Sequence, residues 1–272
     1  SQDFFPGEYQ RTYVMVRNGG GPRKLSPPMI VDGLRTGNAF AASGQLVDRL
    51  AFVACIGNPA PHGRSNQAVE SLTLNAALRN TDLDFEGCAT MGEKLVVPAG
   101  SDIVVSIAVR DPTGTNYSPY TFDNPSLAQV GIQQPLNAPV LDHLDVIRGI
   151  VTGYKQPGSG DYAGQWPNDW INPYLTGGTP SLDSVPAAAK NTTAAVIRTF
   201  SDGSWSDVKR APGVKVMTFR IPAVQRSQYV RLRGSNLPAS VPWETDASGN
   251  PLPDIWTNAS AVNATTPGGS DG

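Results

Sequence analysis

The run Asp102–Arg110, DIVVSIAVR, constrains the fold of this chain more than any other stretch. Ile103, Val105, Ile107 and Val109 fall on one side of an extended backbone, and Val104, Ser106 and Ala108 on the other. Alternation at period two with one strongly apolar side belongs to a strand packed in a sheet. Lys94–Val97 is its expected partner, joined through Pro98-Ala99-Gly100. Further strands are expected at Arg11–Arg17, Leu46–Cys55, Val69–Leu74, Leu141–Thr152, Ala194–Phe200, Val214–Ile221 and Gln228–Arg233. In the last, Val230 and Leu232 would point inward and Arg231 and Arg233 outward.

Between the first two strands lies a short helical pattern, Pro28–Arg35, in which Ile30, Val31 and Leu34 form the apolar stripe expected to be buried. Ser26 and two prolines precede it and Gly37 follows, a polar cap and proline at the entry and a glycine at the exit. The small residues of Asn38–Ser43 around Phe40 then lead into Leu46–Cys55. A helix feeding closely spaced strands is a docking or joining device.

With 28 glycines and 24 prolines, about a fifth of 272 residues, turns are more frequent than the roughly 12% of average usage would supply. Charged residues make up 16%, well below the usual quarter or so. The fold class that follows is all-β: an antiparallel β-sandwich with long loops and one or two short helices. A single sandwich domain is expected over residues 1–236, with the helix near 28–36, and a loop-like or frayed segment over 237–272; division into two smaller sandwiches within Asp111–Pro139 is the weaker alternative. A net charge of −2 gives no electrostatic basis for binding nucleic acid, and no apolar window of about 18 residues spans a membrane. Ser1-Gln2-Asp3 is expected to be a cut end, a mature terminus or a fragment boundary. Cys55 and Cys88 can form one disulfide, and the composition points to a secreted, periplasmic or cell-surface protein in which it would persist; two buried free thiols are the alternative.

Motifs that carry chemistry are sparse. The two histidines, His62 in a Pro-Gly loop and His143 within a strand, come with no HxH, HExxH or CxxC spacing for a zinc or two-metal centre. Asp142-His143 is expected on a strand surface. Ser43 lacks the first glycine of a nucleophile elbow, and Asp82 and Asp84 sit in a loop where solvation is the default. The glycine-rich Asn18–Arg23 has neither the lysine nor the Ser/Thr of a phosphate loop. One cation pattern stands out: Asp246, Ser248, Asn250 and Asp254 offer oxygens at spaced positions around a glycine, as structural Ca2+ loops do, although the second Asp and the closing Glu are missing. A plain polar turn is the competing reading. Tyr162, Trp166, Trp170 and Tyr174 in a long loop could form a platform for a carbohydrate or lid their own core. Asn116, Asn191, Asn258 and Asn263 stand in glycosylation sequons.

Several blocks occur in one order: FFPGEYQRTYV at 4–14, MIVDGLRTGNAFAASGQLVDRLAFVA at 29–54, DHLDVIRGIVTG at 142–153, YVRLRGSNLP at 229–238 and ETDASGNPLPD at 244–254. Together they resemble the C-terminal, non-catalytic region of large secreted bacterial proteins of the PHP-like metal-dependent phosphoesterase group. The resemblance implies an accessory β region lying after a metal-binding catalytic domain, with the Arg35–Gly44 segment at the junction. The family's His and Asp metal ligands lie upstream of these blocks, so the resemblance assigns no catalytic residue to this chain. It implies as partner the catalytic domain or chain of the same precursor. A surface-layer or filament subunit, assembling with copies of itself by strand pairing, and a carbohydrate-binding module are the alternatives.

Overall fold

The computed structural model describes residues 10–16, 25–80, 86–112, 139–151 and 191–238. In chain order these form β1 (Gln10–Val14), α1 (Pro27–Thr36), β2 (Ala39–Ser43), β3 (Arg49–Asn58), α2 (Asn66–Arg79), β4 (Cys88–Thr90), β5 (Ser101–Arg110), β6 (His143–Ile150), β7 (Ala195–Ser201), β8 (Ser206–Asp207), β9 (Val214–Val224) and β10 (Gln228–Ser235). The fold is all-β and antiparallel, with three sheets and two α-helices among the described residues. The chain divides into two compact units: Ser1–Leu141 with Phe200–Gln225, and Asp142–Thr199 with Arg226–Gly272.

In the first unit, five strands run in the order β4-β3-β5-β9-β8. Asp102–Arg110 is a strand as expected, but its partners are β3 and β9 rather than Lys94–Val97. With both edges of β5 occupied, Lys94–Val97 stays irregular, and the chain turns at Thr90–Glu93, where the Glu93 carboxylate accepts the Thr90 N–H at 2.7 Å. Register places Phe52, Ile107 and Met217 on one face of the sheet, and Val53, Ser106 and Thr218 on the other. β5 is buried on both faces, which is why it is apolar at nearly every position.

The second face is covered by α2, where the sequence pattern suggests a loop and then a strand at Val69–Leu74. Ser65 caps this helix, its Oγ accepting the Ala68 N–H at 3.2 Å, and Asn80 ends it in the left-handed conformation. Its buried residues Val69, Thr73, Ala76 and Ala77 recur at helical spacing and are small, so α2 lies close on Ala51, Val53, Cys55, Val104 and Ala108. In short order Val-x-x-x-Thr looks like alternation; the helical face shows only with Ala76 and Ala77 included. A chain of hydroxyls, buried at Thr73 and Ser106 and reaching the exposed Thr218, pins the layers: Thr73 Oγ1 to Ser106 Oγ at 2.8 Å, and Ser106 Oγ to Thr218 Oγ1 at 2.9 Å. At the helix C-terminus the Arg49 guanidinium donates to the carbonyls of Ala77 and Leu78. Thr73→Val keeps the volume but breaks the hydroxyl chain, and is expected to cost about 1–2 kcal/mol, measured as a lower urea midpoint at unchanged slope.

β1 and β2 form a separate hairpin-like pair in this unit, with Tyr13 opposite Phe40 and their rings stacked at 4.7 Å. The second unit holds the three-stranded sheet β10-β6-β7. There Tyr229 lies opposite Gly149, its ring filling the space that a side chain at 149 would need. Arg231 is exposed while Val230 and Leu232 are half-buried, in the sense the alternation indicates, but Arg233, expected outward, is half-buried as well.

Candidate docking face and buried polar groups

α1 spans Pro27–Thr36, close to the expected Pro28–Arg35. Its prolines occupy the first turn, where no intrahelical N–H is needed, and Gly37 closes it at φ 76°. The Asn38 N–H reaches back to Gly33 O at 3.0 Å and the Gly37 N–H to Leu34 O at 3.2 Å, satisfying carbonyls of the last turn. The Thr36 hydroxyl adds a bond to Asp32 O at 2.9 Å. Met15 N–H donates to Asn38 O at 2.9 Å, which ties the helix exit to the end of β1.

The buried face of α1 differs from the one its apolar stripe predicts. Ile30 is half-buried, whereas Val31 and Leu34 are 47% and 50% exposed. The buried residue is Gly33, so close to β1 that a Cβ there would lie 2.5 Å from Val14 Cγ1 and 2.7 Å from Met15 O. A helix that packs through glycine brings backbone against backbone, and residues about 100° and 160° around its axis then face outward. Val31 and Leu34, three residues apart, are neighbours on that outer face, and Leu25 just ahead of the helix is also exposed. The result is a helix seated on β1 through Gly33 that presents apolar side chains to solvent.

Cys55 and Cys88 sit opposite each other on β3 and β4 and are bonded, with S–S 1.99 Å. The expected calcium set (Asp246, Ser248, Asn250, Asp254) and aromatic platform (Tyr162, Trp166, Trp170, Tyr174) lie outside the described residues, as do Asp82 and Asp84. Among the described residues, no group of three or more His, Cys, Asp or Glu side chains is placed to hold a metal ion.

His143 is buried, not on a strand surface. Its Nδ1 lies 2.8 Å from Asp142 Oδ1 and its Nε2 3.6 Å from Asp145 Oδ2. Thr199 Oγ1 donates to the buried Asp145 carboxylate at 2.5 Å, tying β7 to β6. His143 and Asp145 are two apart and so share one face of β6, a pairing that alternation could have flagged. His62 stands 3.3 Å from Glu86, both exposed. In the first unit, Asp48 binds Arg110 through both carboxylate oxygens at 2.7 and 2.6 Å, a bond that holds the guanidinium above its ordinary pKa. Glu70 takes Arg220 at 3.0 and 2.5 Å, linking α2 to β9.

Compared with known proteins, the chain matches no family, no curated protein and no solved structure.

Proposed function

We propose that this chain is the accessory, non-catalytic β region of a secreted or cell-surface protein of the PHP-like metal-dependent phosphoesterase kind, docked to the catalytic part of the same precursor through the outer face of α1. The observation that carries this reading is the apolar pair Val31 and Leu34, held outward on a helix that packs through Gly33 and is closed at its C-terminus by Gly37, although Ser26 makes no side-chain cap at its entry. Exposed large apolar side chains grouped on one rigid element mark an interaction surface more often than isolated ones do. The order of the sequence blocks supports the choice of partner, since the resemblance puts this helix at the junction with the catalytic domain. The Cys55–Cys88 bond supports an oxidising compartment, hence secretion or surface display. In this reading the β sheets supply a scaffold and the chemistry belongs to the partner.

The test uses the native protein and a paired variant. Intact-mass analysis of native material is expected to find a His-rich metal-binding part in the same chain or complex; recovery of a 28.8 kDa species alone would overturn the proposal. Val31→Asp with Leu34→Asp is expected to weaken association with that part at least tenfold. The basis is roughly 1 kcal/mol of remaining burial per side chain plus the cost of desolvating two carboxylates. The variant's own melting temperature should be nearly unchanged, because both positions are exposed. Undiminished association would sink the docking role of α1.

A further inference from the structure

Asp111 directly follows β5 and is 1% exposed. Its Oδ2 accepts the Leu141 N–H at 3.0 Å, and its own N–H donates to Gly213 O at 2.9 Å. The other carboxylate oxygen, Oδ1, is buried without a hydrogen-bond partner among the described residues. Leu141 is the last residue of the first unit before the chain crosses to the second. One carboxyl group therefore ties together two positions 30 residues apart in the chain, at the point where it leaves the first unit.

We propose that Asp111 is a proton-operated clasp on the segment where the chain leaves the first unit, closed when the carboxyl is neutral and loosened when it ionises. With a proton on Oδ1 the orphaned oxygen carries no charge, and Oδ2, as a carbonyl oxygen, continues to accept from Leu141. When the group is ionised, a charge sits in the interior with one donor on one oxygen and, among the described residues, none on the other, which is costly.

Charged groups from two other segments bear on this site. Lys215 on β9 favours the ionised form and Asp48, just ahead of β3, opposes it. Lys215 is already engaged, its Nζ 3.2 Å from Asp207 and 4.6 Å over the Trp205 ring, while Asp48 is held by Arg110. Burial outweighs both the Leu141 N–H and Lys215, so the Asp111 carboxyl is pushed above its ordinary value. Because the carboxyl titrates higher in the closed clasp than when open to water, where its value is about 4, the closed form is favoured most at low pH and gives way to local opening as pH rises through the elevated value.

Hydrogen exchange at the Leu141 amide, corrected for the intrinsic pH dependence of exchange, tests the clasp. Protection at Leu141 is expected to be severalfold higher at pH 4 than at pH 8, while the Ile107 amide in β5 reports the unit as a whole and does not follow it. Asp111→Asn retains an acceptor oxygen without the charge, so its Leu141 protection should be high and flat with pH. Asp111→Ala should be low and flat. Protection that rises with pH, a Leu141 profile that merely parallels Ile107, or an Asp111→Asn protein with wild-type pH dependence would each overturn the proposal.

Discussion

Replacing both cysteines, Cys55→Ala with Cys88→Ala, is expected to destabilise the first unit by about 3–4 kcal/mol, the chain-entropy value for closing a loop of this length. The two positions are 33 residues apart, and everything between them, including α2, lies within the closed loop. β4 makes the loss serious because it is short. Only Cys88, Ala89 and Thr90 pair with β3, so once the covalent bond is gone three backbone pairings hold the edge of the sheet. Cys55 also belongs to the core packed against α2, and truncation to Ala removes contact there. With a urea slope of roughly 2 kcal/mol/M, the unfolding midpoint should fall by about 1.5–2 M. A fall under about 0.3 M would mean that the bond constrains nothing the fold does not already hold. The same comparison in reducing and oxidising buffer separates the bond from the side chains.

How far the sequence discloses this architecture depends on which force sets each element. β5 is legible because its alternation is a local expression of burial on a sheet, and every apolar residue of Ile103–Val109 is in place as a strand requires. α1 is legible as a helix because proline and glycine punctuate it through their own backbone chemistry. Its orientation is not. Side-chain hydrophobicity puts Ile30, Val31 and Leu34 inward, but the closest approach to β1 is available only where there is no side chain, at Gly33. α2 is obscured for a related reason: its buried face is Val69, Thr73, Ala76 and Ala77, too small to give a strong apolar stripe, and suited to Val104, Ser106 and Ala108 across from it. Small residues on both surfaces match one another only in three dimensions. Asp111 and the His143–Asp145 pair are polar residues buried by tertiary context; alternation puts His143 and Asp145 on one face, but no local pattern announces that the face is buried. The proposed docking face therefore becomes visible by subtraction, as the apolar residues of α1 that packing leaves outside.

Gly92→Ala should then have an effect comparable to losing the disulfide, about 3 kcal/mol or more, although it adds a single methyl group. Gly92 holds φ +83° in the turn after β4, where an L side chain is strained by roughly 1–2 kcal/mol. Steric overlap costs more than this strain. A Cβ would stand 2.6 Å from Asn38 N and 2.6 Å from Gly37 C, and closer still to Thr36 O. These are backbone atoms at the exit of α1, and no rotamer change can move them aside. Gly37→Ala supplies the control: it too has positive φ, but its Cβ would meet Gly92 Cα at an ordinary 3.5 Å, so it should cost only about 1 kcal/mol, from backbone strain alone. The difference between the two, read from urea midpoints at equal slope, isolates the contact between the β4 turn and the helix exit. Amide exchange over 33–38 locates the damage: if Gly92→Ala lowers protection there, the disulfide-linked edge of the sheet fixes the angle at which Val31 and Leu34 are presented. If protection is unchanged while the midpoint falls, the packing of Gly33 against β1 holds the helix by itself, and substitutions at the turn should leave the proposed partner docking intact.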